Sequence, residues 1–196
     1  GGSSKQQAHR SQFESDIRRG ISANEFFLMF QPQVDAATGS PTGLEALLRW
    51  RHQTRGLVQP MEFIPVAEES GLINPLGRRA LELACEQFKL WQTRDIYPRI
   101  SVNVSAAQLQ DPNWLNSVDE TIERTGIPAK FLDLEITESM LVGNPKHVID
   151  TLDTLGRMGV TLTLDDFGTG YSSLSYLTRL PFHTIKIDRS FIQHID

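Results

Sequence analysis

Two adjacent carboxylates, Asp165 and Asp166, follow an apolar run in the segment LTLDDFGTGY, residues 162–171. Neighbouring side chains of a β-strand point to opposite faces of the sheet. The two carboxylates can therefore converge only where the strand ends and the backbone turns, and Gly168 and Gly170 permit such a turn. Convergent carboxylates repel each other unless a positive charge lies between them. The segment thus predicts a cation beside the two aspartates.

Polar side chains also recur on one face of four further strand-like segments. The same-face groups are Glu45, Leu47 and Arg49; Ser101, Asn103 and Ser105; Asp133, Glu135 and Thr137; and Thr184, Lys186 and Asp188. In an α/β barrel such a face lines the interior, near the mouth where the chemistry occurs. Lys186 supplies one positive charge there, against carboxylates from Glu45, Glu135 and the aspartate pair. Mg²⁺ or Mn²⁺ would balance that surplus, and a carboxylate bridging two metal ions is a common arrangement for phosphoester hydrolysis.

Each motif, taken singly, has a simpler interpretation. An isolated acid such as Asp133 or Glu135 is more often solvated or a helix cap, and a lysine on a lone strand is usually a surface residue. The segment DDFGTGYSS alone is also typical of a loop that ends in a helix capped by Ser172 or Ser173. The recurrence of such motifs on one face of successive strands favours a functional site.

The elements that must position these residues alternate along the chain. Strands are predicted at Phe26–Val34, Leu44–Trp50, Ile100–Ser105, Leu132–Thr137, Thr161–Asp165 and Thr184–Ile187, and helices at Gln12–Arg19, Pro75–Trp91, Asp111–Arg124 and Pro145–Met158. This alternation indicates a parallel α/β architecture. Only DAATGSPTG separates the first two strands, which is too short for a parallel crossover. These two strands should therefore form an antiparallel hairpin, within a barrel-like α/β domain.

Composition restricts the class of protein. A chain of 196 residues allows one domain, or most of one, and the net charge of −5 argues against binding to a nucleic-acid polymer. The single cysteine, Cys85, excludes an intramolecular disulfide and fits a reducing compartment. No apolar stretch approaches the ~20 residues that span a membrane, and no secretory signal is present. We expect a cytoplasmic domain whose parent protein could itself be membrane-anchored.

Several motifs together resemble the EAL-domain family of cyclic di-GMP phosphodiesterases. They are LEALLRW, SVNVS, LEITES, LTLDDFGTGYSSLSYL and IKIDRSFI, in that order and spacing, and FQPQV and PMEFIPVAEESGLI match as well. The resemblance implies a TIM-like (β/α)8 barrel with one antiparallel strand. It also implies metal-dependent hydrolysis of one phosphodiester of cyclic di-GMP, which gives linear pGpG and ends a second-messenger signal.

The resemblance implies a role at each matching position. Metal ligands are implied at Glu45, Asn103, Glu135, Asp165 and Asp166, and contacts to the dinucleotide at Gln31, Leu47, Arg49 and Asp188. Asp165 would bridge two ions and Lys186 would orient or stabilise the attacking water, so that Glu45, Asp165 and Lys186 form the catalytic group. Arg49 suits a phosphate oxygen, Asp188 suits a guanine edge, and Glu138 would brace the loop after Asp166. The implied cofactors are Mg²⁺ or Mn²⁺, with Ca²⁺ inhibitory.

The resemblance also sets expectations for the rest of the polypeptide. A full α/β barrel takes about 250 residues, so we expect an EAL domain over residues 13–196 that lacks its last two strand–helix units. Those units carry a Glu-Gly-Val-Glu motif whose first glutamate completes the family's site. Residues 1–12 are interpreted as a cloning remnant and a linker. Besides cyclic di-GMP, the expected partners are upstream sensory or cyclase domains, and a homodimer is left open.

Three functions stay open. The first is an active cyclic di-GMP phosphodiesterase, or the larger part of one. The second is a receptor that binds cyclic di-GMP without hydrolysing it; receptors of this family usually lack parts of the EAL or DDFGTG motifs, and both motifs are intact here. The third, from the residues alone, is a divalent-metal barrel that acts on carboxylate substrates with Lys186 as a general base. The intact motifs favour the first.

Overall fold

The structure, a computed structural model, describes residues 2–35, 37–142, 145–168 and 180–187. Its strands are β1 (Phe26–Val34), β2 (Pro41–His52), β3 (Gly56–Val58), β4 (Ile100–Asn103), β5 (Leu132–Thr137), β6 (Thr161–Phe167) and β7 (Thr184–Ile187). Its α-helices are α1 (Gly2–Ser22), α2 (Pro60–Ser70), α3 (Ile73–Gln92), α4 (Ala106–Gln110), α5 (Trp114–Thr125) and α6 (Pro145–Arg157), and 3₁₀ turns cover Ala129–Phe131 and Glu138–Leu141.

One mixed sheet contains all seven described strands. Its order is β1-β2-β4-β5-β6-β7, with β3 paired to the end of β2. The predicted hairpin is confirmed, because β1 and β2 are antiparallel with Gln31 opposite Glu45, while β2, β4, β5, β6 and β7 pair in parallel. The α/β class with a reversed first strand was thus predictable from the short first connection, whereas β3, which is also antiparallel to β2, was not. Closure into an eight-stranded barrel and the loss of two final units stay predictions.

Several elements differ from the sequence-based expectation. Helix α1 begins at Gly2 rather than at Gln12, so the segment interpreted as a linker is helical. Strand β3, which folds back on β2, and helices α2 and α4 were not predicted, and β4 ends at Asn103 because Ser105 caps α4. Pro65 inside α2 argues against a helix in the sequence, but a capping box between Gln59 and Glu62 and a proline in the first turn start the helix there.

Two apolar clusters hold the sheet and the helices together. The larger one lies between the aliphatic face of the parallel strands and helices α3, α5 and α6, with Leu134, Ile136 and Leu164 almost wholly buried. The smaller one joins α1 and α2 to β2 through Trp50, whose ring stacks on Phe26 at 5.1 Å between centroids. Because helices cover the aliphatic face, the polar face is left as the inner side of the sheet.

The sheet is strongly curved around its polar face. The side chain of Gln33 on β1 donates a hydrogen bond to Glu135 on β5, although β2 and β4 lie between those strands in the sheet. Side chains from distant strands can therefore meet on the inner side.

Among the residues that the structure describes, no helix has the length and apolar character required to cross a membrane.

Candidate active site

The predicted site residues lie on neighbouring strands of the inner face. Asn103 is the register partner of Glu135, and Thr137, two residues further along β5, is the partner of Asp165. The side-chain amide of Asn103 donates a hydrogen bond to Glu45 Oε1 at 3.2 Å. The parallel strands thus bring an amide and several carboxylates to one edge of the sheet, as their polar alternation predicts.

Glu135 is the buried centre of this group, with 2% of its surface exposed. Its Oε1 atom accepts hydrogen bonds from Lys186 Nζ and from Gln33 Nε2, the latter at 3.3 Å. Its Oε2 atom is buried without a hydrogen-bond partner among the described residues. Burial raises the pKa of Glu135; Lys186 opposes that rise, and the negative charges of Glu45 and Asp165 add to it.

Lys186 lies among carboxylates with a third of its side chain exposed. Burial lowers the pKa of Lys186, but the hydrogen bond to Glu135 and the negative charges of Glu135, Glu45 and Asp165 outweigh burial, so the pKa lies above its ordinary value. Lys186 is therefore a cation at neutral pH. A resting general base must be unprotonated, so this environment disfavours the carboxylate-substrate alternative.

A β-bulge explains how Asp165 and Asp166 are arranged. Leu164 pairs with Ile185 and Phe167 pairs with Ile187, so both aspartates lie opposite the single residue Lys186. The backbone of Asp166 has a φ of 56°, in the left-handed region that residues other than glycine seldom adopt. Its N–H donates to Asp165 Oδ1 at 2.8 Å. The turn that the sequence analysis assigned to the glycines therefore begins at Asp166 itself.

The backbone after the bulge is held from below by Glu138. This side chain is 1% exposed, and its Oε2 atom accepts a hydrogen bond from the N–H of Gly168 at 2.9 Å. Gly168 itself has a φ of 102°. The contact has the geometry that a loop-bracing role requires. Gly170 and the rest of the predicted loop lie outside the described residues.

Two cavities adjoin these residues. One, of about 300 Å³, lies between the ends of β2 and β4 and helices α2 and α3, and Leu47, Arg49 and Asn103 line it. The other, of about 380 Å³, lies on the inner face, and its lining includes Gln31, Glu45 and Lys186. Arg49 Nη1 donates to the Leu48 carbonyl oxygen at 2.8 Å, and the described residues offer Arg49 no ion pair. Asp188, the predicted guanine contact, lies outside the described residues.

The oxygen atoms of the predicted ligands suit a hard divalent cation. Their side chains do not, however, converge on one position where an ion would bind. Within the described ranges, no three His, Cys, Asp or Glu side chains are placed to hold one ion. Instead, Asn103 donates a hydrogen bond to Glu45 Oε1, and Gln33 and Lys186 both donate to Glu135 Oε1. The predicted ligands nevertheless offer oxygen donors, and the unpaired, buried Oε2 of Glu135 is the kind of atom that a bound ion satisfies.

A second polar layer lies next to the site; Ser101 and Asp133 were placed on the polar face from the sequence, but no role was predicted for this layer. Its members are Gln33, Ser101, Asp133 and Thr163. The Ser101 hydroxyl donates to Asp133 Oδ2 at 2.7 Å, and the Thr163 hydroxyl lies 2.9 Å from both Asp133 oxygens. Burial raises the pKa of Asp133, whereas these two hydroxyls lower it. The sequence spacing could have identified this layer, since each member lies two residues before or after a predicted site residue and so shares its face of the strand.

The fold and the site together define a class of protein. A curved, mainly parallel α/β sheet with carboxylates, an amide and a lysine at one edge is typical of TIM-like α/β proteins. The family model described as the EAL domain matches residues 14–196, and the chain belongs to this family. EAL domains in general depend on divalent metal ions.

Solved structures with this fold include proteins that bind cyclic di-GMP. The chain is 40% identical to the PaMucR phosphodiesterase in its complex with c-di-GMP, with a TM-score of 0.87 over 94% of this chain and 75% of that one. It is 31% identical to the EAL enzyme Bd1971 in a form bound to cAMP and cyclic di-GMP, with a TM-score of 0.86 over 99% of this chain and 54% of that one. Relatives of this chain therefore bind cyclic di-GMP, and some are phosphodiesterases.

Curated relatives are much longer than this chain. It is 45% identical to a signaling protein of Caulobacter vibrioides over 95% of this chain and 23% of that protein. It is 43% identical to protein y4lL of Sinorhizobium fredii over 93% of this chain and 22% of that protein. The chain thus spans about a quarter of the length of these relatives.

Proposed function

We propose that the domain represented by this chain hydrolyses cyclic di-GMP to linear pGpG in a metal-dependent reaction, and so ends a second-messenger signal. The observation that carries the proposal is the β-bulge that sets Asp165 and Asp166 opposite the cationic Lys186. A strained backbone at an acidic site is a device that proteins keep mainly at functional positions. The similarity to a phosphodiesterase in complex with c-di-GMP supports the choice of substrate.

The ion or ions would be Mg²⁺ or Mn²⁺, held by Glu45, Asn103, Glu135, Asp165 and Asp166. A metal ion bound there would neutralise phosphate charge and make a water molecule more acidic. Lys186 would orient the attacking water and stabilise negative charge that develops on it, because it stays protonated beside Glu135.

The remaining predicted residues would bind the dinucleotide. Arg49 lies at a cavity and is free of ion pairs among the described residues, so its guanidinium group can bind a phosphate oxygen through paired hydrogen bonds. Gln31 and Leu47 would contact the ligand from the two cavities, and Asp188 would accept hydrogen bonds from a guanine edge. Glu138 would keep the backbone after Asp166 in place through Gly168.

A receptor that binds cyclic di-GMP without hydrolysis is the second candidate. The observation in its favour is that Glu45 Oε1 and Glu135 Oε1 already accept hydrogen bonds from other side chains. The predicted metal ligands therefore do not surround one ion position among the described residues. The two candidates differ in what bound cyclic di-GMP becomes, since a receptor returns it intact.

The test uses the parent polypeptide that contains residues 14–196, incubated with cyclic di-GMP and Mg²⁺ or Mn²⁺. Chromatography of the nucleotides measures pGpG, and calorimetry measures binding. We expect pGpG from the wild type, and binding without product from Glu45→Ala. Binding without product from the wild type would establish the receptor instead, and the absence of both would overturn the proposal.

We infer further that the domain works in the cytoplasm as one part of a multidomain protein. The length of the relatives, of which this chain matches about a quarter, supports the multidomain part of this inference, and the single cysteine fits a reducing compartment. Upstream sensory or cyclase domains would then control the hydrolysis, and a homodimer is an assembly that such control could use. Size-exclusion chromatography with light scattering on the parent polypeptide tests the assembly directly.

A further inference from the structure

Gln33 joins the predicted site to the buried polar layer below it. It lies on β1 two residues after Gln31, half-buried on the inner face of the sheet. Its Nε2 atom donates to Glu135 Oε1 at 3.3 Å, and its Oε1 atom lies 3.4 Å from the Ser101 hydroxyl, whose one proton is donated to Asp133 Oδ2 at 2.7 Å. One end of the amide is therefore hydrogen-bonded to the predicted site, and the other end contacts the buried polar layer.

The backbone around Gln33 is shaped to receive this side chain. The β1–β2 register shifts between Gln33 and Val34, which leaves Thr42 as an extra residue on β2, and its hydroxyl donates to the Gln33 carbonyl oxygen at 3.2 Å. Gly43 lies opposite Gln33 in the register. A Cβ at Gly43 would lie 2.9 Å from the Arg99 carbonyl oxygen and 3.4 Å from Gln33 Oε1, so a larger residue would press on the amide.

Gln33 and Lys186 both donate to the same oxygen of Glu135. With Oε1 held from two sides, the carboxylate cannot rotate freely, and Oε2 is left without a partner among the described residues. A buried carboxylate oxygen without a partner is costly unless a ligand reaches it. The hydrogen bonds to Oε1 thus decide which oxygen of Glu135 is presented.

We propose that Gln33 is a positioning residue of the metal site, which holds Oε1 of Glu135 and so presents Oε2 to the divalent ion. The inference rests on the proposed metal-dependent function. Carboxylate ligands of metal ions are themselves held by hydrogen bonds, and losing such a partner typically costs 10–100-fold in metal affinity or activity. Gln33 touches neither the phosphate nor the attacking water in this proposal, and it acts through Glu135.

The experiment measures Mn²⁺ binding without nucleotide, from the loss of the free-ion signal in electron paramagnetic resonance. Gln33→Met keeps the length of the side chain and removes the hydrogen bond to Glu135. We expect it to weaken Mn²⁺ binding by about 10-fold or more, and to lower kcat at saturating cyclic di-GMP more than it raises KM. Val34→Thr, on the next residue of β1, is the matched control and should bind Mn²⁺ as the wild type does.

Three results would separate the alternatives. Wild-type Mn²⁺ affinity in Gln33→Met would overturn the positioning role, even if turnover of the wild type confirmed the proposed function. A wild type that binds Mn²⁺ but makes no pGpG would refute the proposed function, and the affinity of Gln33→Met would still decide the inference. A wild type without Mn²⁺ binding would refute both. If thermal unfolding shows that Gln33→Met is not folded, Gln33→Asn, which keeps an amide but is too short to reach, replaces it.

Discussion

Lys186 on β7 donates a hydrogen bond to Oε1 of Glu135 on β5, across the strand β6 that separates them in the sheet. Glu135 is buried, so its charge would be costly without this partner. The neighbouring acids Glu45 and Asp165 raise the pKa of both members of the pair, which favours a protonated lysine and disfavours an ionised glutamate. These residues therefore include more carboxylates than cations, with Lys186 as the cation beside Glu135, so an added positive charge would stabilise them.

The aspartate pair is the most direct target for substitution. Asp165→Asn and Asp166→Asn keep the size of each side chain, and asparagine tolerates the left-handed backbone found at Asp166. We expect either substitution to abolish turnover of cyclic di-GMP, with a rise in the barrier of several kcal/mol, because a metal ligand is lost. Product formation followed by chromatography measures the effect.

The control for the aspartate pair is Asp119→Asn, at an exposed position on α5. It should keep wild-type rates and wild-type thermal stability. Wild-type turnover in Asp165→Asn would show that the bulge opposite Lys186 is not part of the catalytic machinery. A loss of turnover accompanied by unfolding would point instead to a structural role, so circular dichroism accompanies each assay.

Arg49→Ala should act mainly on binding. Arg49 lines the cavity at the end of β2, where a phosphate oxygen would replace its present contact to the Leu48 carbonyl. We expect KM for cyclic di-GMP to rise more than kcat falls, because the substitution removes an interaction made in both the ground state and the transition state. Steady-state kinetics measures the two constants.

Arg51→Ala is the matched control for Arg49. Arg51 lies two residues further along β2, and its guanidinium group lies 5.0 Å from the centre of the Phe27 ring instead of lining the cavity. Its kinetic constants should stay near those of the wild type. If Arg49→Ala lowered kcat and left KM unchanged, the assignment of Arg49 to ground-state binding of phosphate would be wrong.

The alternation of polar residues predicted which side chains share the inner face, because strand geometry has a fixed period of two. It could not predict the bulge at Asp165 and Asp166, since that feature depends on the register between β6 and β7. The contact of Gln33 with Glu135 was also beyond the sequence, because it requires the curvature of the whole sheet. Helix α2 was not predicted because it contains Pro65, and proline is disfavoured inside helices. The prediction for Asp188 stays untested, since this residue lies outside the described residues.

Divalent ions should decide whether the reaction proceeds. We expect turnover with Mg²⁺ or Mn²⁺ and little with Ca²⁺, because the larger, looser shell of Ca²⁺ holds an attacking water poorly. Excess chelator should stop pGpG formation, and renewed Mn²⁺ should restore it. Undiminished hydrolysis in excess chelator would refute the metal-dependent reaction. A rate with Ca²⁺ equal to the rate with Mg²⁺ would refute only the predicted preference for Mg²⁺ or Mn²⁺ over Ca²⁺.

A buried ionic contact between α1 and the end of β2 should make stability depend on pH. Asp16 accepts hydrogen bonds from Gln12 and Arg19, and its other oxygen lies 3.2 Å from His52 Nε2. Burial raises the pKa of Asp16, but the contacts with His52, Gln12 and Arg19 outweigh burial, so the pKa lies below its ordinary value of 3.8. A lowered pKa contributes stability that is present above the unfolded-state value and is lost as the pH falls through the folded-state value.

The measurement is urea unfolding of the wild type and of Asp16→Asn between neutral and acidic pH. We expect Asp16→Asn to be less stable at neutral pH, and the difference to shrink as the pH falls below about 4, where the unfolded-state aspartate is protonated. Asp119→Asn, on an exposed part of α5, should show no such convergence. A difference that stayed constant with pH would mean that the charge of Asp16 does not stabilise the contact.

The close approach of α3 and α4 leaves no room for a side chain at Gly77. A Cβ at Gly77 would lie 2.2 Å from Gln108 Nε2. Gln108 cannot easily move away, because its side chain is buried and its Oε1 atom accepts a hydrogen bond from the N–H of Ser105 at 2.9 Å. Gly77→Ala should therefore break this helix cap and lower the free energy of unfolding by about 1–3 kcal/mol.

Gly156→Ala is the matched control, since Gly156 also lies in a helix, α6. A Cβ there would meet its nearest neighbour, Pro181 Cβ, at an ordinary 3.7 Å. Alanine is favoured over glycine inside a helix by up to about 1 kcal/mol, so Gly156→Ala should be as stable as the wild type or more stable. Urea unfolding monitored by tryptophan fluorescence compares the two variants. Equal stability of Gly77→Ala and Gly156→Ala would mean that Gln108 does not fix the approach of α3 to α4.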